Sequence, residues 1–125
     1  MVKIGATSKD NPMIRNGLYL VISRLLDGAE GGATGVSVLR DGTMRGGGPN
    51  YYHVGSYVCS GGKWKGELTV REHTPAEITR AFAGKVVSMG FDGRYTDDAA
   101  EFDATALAGK RSIQLKVVLR LLTPD

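Results

Sequence analysis

Three side chains in this chain could, by type alone, perform covalent or metal chemistry: the single Cys59 and the two histidines, His53 and His73. A thiol beside an imidazole is the smallest nucleophilic set, and the same donors suit zinc. Their spacing opposes both uses. His53 and Cys59 share one parity of one alternating run, which at roughly 3.3 Å per residue leaves them about 20 Å apart along a straight strand. His73 could approach Cys59 from a neighbouring strand, yet no third group is placed to orient the ring, and no Cys/His pair has zinc spacing. At a strand end, His73 reads as solvated. The expectation is no catalytic residue, no metal and no cofactor.

Glycine-rich loops offer the next possible chemistry, because backbone N–H groups freed by glycine can cradle phosphate. The tract Gly28-Ala29-Glu30-Gly31-Gly32-Ala33-Thr34-Gly35 lacks the G-x-G-x-x-G spacing and leads into a strand, so no helix dipole backs it. Gly-Lys recurs at Gly62-Lys63, Gly84-Lys85 and Gly109-Lys110, but the glycine a P-loop needs further back is replaced by Tyr57, Thr79 and Ala104. These pairs read as turns that open strands. The acids Asp92, Asp97, Asp98, Glu101 and Asp103 do not follow the calcium-loop pattern; Asp97-Asp98 reads as a turn, and Glu101 and Asp103 as a wet strand face. Tyr51, Tyr52, Tyr57 and Trp64 could stack on bases, although core and interface packing is the reading preferred for aromatics in strands.

These residues must be positioned by strands. From Trp64 to His73, and again over Ala100–Leu107 and Ile113–Leu121, apolar residues alternate with polar ones at period two. Further runs lie at Gly17–Leu26, Val36–Arg40, Thr43–Gly47, Tyr51–Cys59 and Lys85–Tyr95, separated by Asp41-Gly42, Gly61-Gly62 and Gly109-Lys110. Glycine is frequent, 18 of 125 residues. The pattern predicts an all-β domain over 13–125, an eight-stranded antiparallel meander closed as a small barrel so that no edge is left exposed. Residues 1–12 form an arm or extension, with Met13 as an alternative start. Thr74-Pro75-Ala76-Glu77 reads either as the cap and first turn of a short helix near 75–82 or as an extended loop.

The charge balance, 16 basic against 13 acidic residues, leaves +3, but the signs are interleaved, so direct nucleic-acid binding is not expected. One cysteine forms no internal bridge, the opening residues lack a secretory signal, and no run approaches the roughly 20 apolar residues of a membrane helix. A cytoplasmic protein without membrane association is expected. Val118 and Leu122, apolar on the polar side of the last strand, suggest a subunit interface.

Several segments together resemble the GrlR-like family, whose named members are negative regulators of type III secretion gene expression. They are Asn16-Gly17-Leu18-Tyr19, Gly35-Val36-Ser37-Val38-Leu39-Arg40-Asp41-Gly42, the Gly46-Gly47-Gly48 tract with Tyr51-Tyr52 and Gly55-Ser56-Tyr57, and Asp103-Ala104-Thr105-Ala106-Leu107-Ala108-Gly109. The resemblance runs from about Met13 to Pro124. It implies a lipocalin-like barrel, a homodimer without catalytic residues, and action by binding a transcriptional activator. The family's regulators carry an acidic run at the turn after the Gly55 strand, where this chain has Cys59-Ser60-Gly61-Gly62-Lys63. Attraction to a basic partner would be absent or reversed here.

Two functional readings follow. In the first, a regulatory protein engages a protein partner through the outer surface around Ser60, Gly61, Gly62, Lys63 and Lys65. In the second, the barrel interior holds an apolar small ligand against Trp64, Leu68, Phe102, Ile113 and Leu115.

Overall fold

The computed structural model describes residues 13–25, 32–75, 86–108 and 111–125. Eight strands follow in order: β1 (Gly17–Leu25), β2 (Gly32–Arg40), β3 (Thr43–Gly47), β4 (Tyr51–Ser60), β5 (Lys63–Glu72), β6 (Val86–Tyr95), β7 (Ala99–Ala108) and β8 (Arg111–Pro124). Each pairs antiparallel with the next, and β8 returns to β1, so the sheet closes on itself as a barrel. Closure satisfies the backbone groups that an open meander would expose at two edges. No helix occurs among the described residues. The alternative of a short helix near 75–82 falls, from residue 76 onward, outside them, as does the arm at 1–12.

Parity decides what faces the axis. On β6, Val87, Met89, Phe91 and Tyr95 are buried, and on β8 Ile113, Leu115, Val117 and Leu119, while the residues of the other parity face outward. Two of the expected hairpin turns carry the backbone that tight two-residue loops need. Asp41 and Gly42 have φ of 49° and 86°, and Gly61 and Gly62 of 60° and 84°, values that match the right-handed twist of the flanking strands. The expected strand at Val36 in fact begins at Gly32, where Gly32 to Gly35 pair with Arg24 to Val21. Backbone pairing extends β2 through residues too small to show alternation.

Glycine does more here than punctuate turns. Across the sheet, inward rows read Ser37–Gly46–His53, Met44–Gly55–Leu68, Tyr57–Gly66–Phe91 and Trp64–Gly93–Phe102, each a glycine flanked by two larger side chains. A Cβ built on Gly46 would fall on the Val36 carbonyl oxygen, and one on Gly93 on that of Glu101, so these positions admit no side chain unless the backbone moves. Over Gly46 and over Gly93 the flanking groups reach across the gap and meet.

At one end of the interior this produces an aromatic plug. Trp64, essentially fully buried, meets Tyr57, Phe91 and Phe102 edge-on at ring separations of 5.4, 5.0 and 5.7 Å. Its indole N–H donates to the Glu101 carbonyl oxygen at 2.9 Å, which satisfies the one polar atom that burial would otherwise penalise.

Candidate functional site

Beyond the plug the interior is hollow. A cavity of about 350 Å³ occupies it. Its walls differ in chemistry: Ser23, Ser37 and His53 stand on β1, β2 and β4 among Val21, Met44 and Tyr51, while the side formed by β5 to β8, with Leu68, Val70, Met89, Phe102, Leu115 and Val117, is apolar throughout. Gly48, Pro49 and Asn50, the connection between β3 and β4, form part of the rim.

Ser37 and His53 owe their meeting to Gly46. The register places Ser37 opposite Gly46 and Gly46 opposite His53, so no side chain stands between them, and Ser37 Oγ lies 2.8 Å from His53 Nε2. Ser37 is wholly buried. Burial also lowers the His53 pKa below its ordinary value, because the interior disfavours the imidazolium. The ring is therefore neutral at physiological pH, one nitrogen a donor and the other an acceptor.

The rim is tied down by His73. Its Nε2 donates to the Gly48 carbonyl oxygen at 2.8 Å, and its Nδ1 accepts from the Thr74 hydroxyl at 2.8 Å. Asn50 reinforces the same junction by donating from Nδ2 to the Thr74 and Pro75 carbonyls at 3.1 and 3.2 Å. Although exposed, His73 is thus a bracket between the β3–β4 connection and the end of β5.

Cys59 shares the inward face of β4 with His53, and its register partner Trp64 places it at the plugged end. Burial raises the thiol pKa, with the Ile14 backbone and Tyr95 as neighbours, so the nucleophilic thiolate is disfavoured. Among the described residues no group of three or more His, Cys, Asp or Glu converges as a metal site.

Of the five residues expected to line a ligand cavity, Leu68, Phe102 and Leu115 do so. Trp64 and Ile113 are buried but lie outside its lining. Sequence reading passed over Ser37 and His53 as a pair. Half of the signal was present, since the two-residue Asp41-Gly42 turn dictates that Arg40 faces Thr43 and hence that Ser37 faces Gly46.

The residues expected to contact a partner gather at the β4–β5 hairpin. Ser60, Gly61, Lys63 and Lys65 are exposed, Lys63 faces Arg94 on β6, and Lys65 faces Asp92. A cleft of about 550 Å³ runs beside the hairpin, its walls carrying Lys63, Lys65, Arg94 and Lys116 together with the acids Asp92, Glu101 and Asp103. Within that cleft Lys116 bridges Glu101 at 3.0 Å and Asp103 at 3.6 Å, so those acids are partly neutralised. A second outer feature is apolar. Ile22 and Val118, 48% and 44% exposed, face each other across β1 and β8, and Val36 and Val38 continue the stripe on β2 opposite Leu20 and Leu18.

These features define a closed eight-stranded antiparallel barrel with a part-filled interior. A family model described as the T3SS negative regulator GrlR matches residues 14–123, nearly the whole chain. The chain belongs to this family. No curated protein matches it.

Proposed function

We propose that this protein is a non-enzymatic negative regulator of type III secretion gene expression that works in the cytoplasm by binding a protein partner, in the family's case a transcriptional activator. Membership of the regulator family over residues 14–123 carries this reading. The partner site is the β4–β5 hairpin, Ser60, Gly61, Gly62, Lys63 and Lys65, with the cleft beside it. Lys63 and Arg94 lie side by side at the hairpin, while Lys116 offsets Glu101 and Asp103 deeper in the cleft and Lys65 faces Asp92, so the surface complementary to the hairpin itself is acidic. The apolar stripe over β8, β1 and β2 is the natural homodimer face, because like surfaces on two copies bury it together. To test the partner site, Lys63→Glu/Lys65→Glu is compared with the unaltered protein as bait in lysate of its own cells. Loss of a specific captured regulator supports the site; an unchanged interaction profile rejects it.

A second reading is favoured by one specific observation, the cavity of about 350 Å³. That volume is at the lower end of the range for small-molecule sites, roughly 300–1,000 Å³, and its walls are mostly apolar. In this reading the barrel carries a small apolar ligand, and native mass spectrometry of freshly purified protein would detect it as added mass. A bare mass, together with no uptake of added apolar compounds, rejects it.

A further inference from the structure

We infer that the cavity takes a single-chain amphiphile, its hydroxyl or carboxyl head hydrogen-bonded to Ser37 and His53 and its hydrocarbon tail laid against Leu68, Met89, Leu115 and Val117. This rests on the ligand-binding reading above and adds the ligand's chemistry and orientation.

The argument begins with the division of the walls. A cavity meant only to be filled by hydrocarbon would gain nothing from a serine and a histidine, since burying polar groups costs free energy that an apolar pair of similar shape avoids. Here both border the cavity from a single inward row, and the strands opposite contribute aliphatic and aromatic groups. One side is suited to a head, the other to a tail.

The hydrogen-bonding inventory then narrows the head group. If the Ser37 hydroxyl donates to His53 Nε2, the ring retains an N–H donor at Nδ1 and the hydroxyl a free lone pair. If the proton sits on Nε2 instead, the ring donates to Ser37, whose own O–H remains a donor while Nδ1 is an acceptor. Either arrangement leaves one donor and one acceptor. An alcohol or a carboxylic acid supplies the complement in a single group, whereas a hydrocarbon, halide or quaternary amine does not.

Size sets the tail. At about 30 Å³ for each water-sized non-hydrogen atom, a cavity of about 350 Å³ holds roughly a dozen such atoms. A ten-carbon chain with its head is of that size. The aromatic plug around Trp64 closes the interior beyond Phe102, so longer chains have no room to extend toward that end.

The test uses two probes of equal length, decan-1-ol and 1-chlorodecane, titrated calorimetrically into the whole protein, with Ser37→Ala and His53→Leu as variants whose folding is checked by circular dichroism. The alcohol should bind the unaltered protein several-fold more tightly than the chloride. Each variant should weaken the alcohol roughly 3- to 10-fold, the share of one hydrogen bond, and leave the chloride unchanged. Equal affinity of the two probes for the unaltered protein would overturn the head assignment while leaving the ligand-binding reading intact, and this comparison needs no variant to fold. Binding of neither probe would overturn both.

Discussion

Replacing Trp64 by alanine tests the division of the barrel into a packed and a hollow half. The indole is 2% exposed and touches three aromatic rings at 5.0 to 5.7 Å. Burial of a side chain this large removes roughly 150–250 Å² from water, worth about 4–6 kcal/mol at 25 cal/mol per Å². Measured losses for such truncations are about 3–5 kcal/mol, because neighbours relax partly into the space. Loss of the 2.9 Å bond to the Glu101 carbonyl adds about 1 kcal/mol. The expected total is roughly 4–6 kcal/mol, a large part of the 5–15 kcal/mol that holds a typical domain folded. Trp64→Phe keeps a ring in the plug and removes the donor, so its cost should be about 1–2 kcal/mol. Chemical denaturation followed by far-ultraviolet circular dichroism measures both, since Trp64 is the only tryptophan and its fluorescence disappears with it. A loss below about 1 kcal/mol for Trp64→Ala would show that the plug is not packed as described.

Three further outcomes follow from the same packing. Gly93→Ala forces a methyl onto the Glu101 carbonyl oxygen and to 2.6 Å from the Phe102 Cα, and should cost about 1–3 kcal/mol in the same denaturation assay. Burial pushes the Tyr19 and Tyr57 phenols up to about 12 from 10, so the folded chain keeps protons that the unfolded chain has released; stability is unaffected below pH 10 and falls as pH rises from 10 to 12. Urea titrations at pH 9 and 11 should differ by roughly 1 kcal/mol per ring once solvent screening is allowed for. Ile22→Lys/Val118→Lys places charge in the outer apolar stripe and should convert a dimer to a monomer by light scattering; a dimer that survives, or an unaltered protein that is monomeric, rejects that face.

The strands of the second half were legible because alternation is a local signal. Val117 and Lys116 point to opposite faces whatever the rest of the chain does, and the parity of β7 and β8 holds as expected. The Asp41-Gly42 and Gly61-Gly62 turns were legible for the same reason: residues tolerant of positive φ advertise two-residue hairpins. The start of β2 was not, since Gly32 to Gly35 are held by backbone bonds to β1 that leave no mark in side-chain pattern. Nor was the role of the inward glycines, whose absent side chains matter only beside particular neighbours on other strands.

Residue order alone therefore determined which side chains face inward, where the chain turns, and that the strands form a meander of family-like motifs. Where no two-residue turn joins them, it did not determine how far one strand slides past the next. Sliding sets which residues share a row, and thus that Gly46 stands between Ser37 and His53, that Gly93 stands between Trp64 and Phe102, and that Leu68 borders a cavity while Trp64 fills the far end. Closure of β8 onto β1 decides the rest, because a row of side chains encloses space only when the sheet carrying it returns to its own beginning.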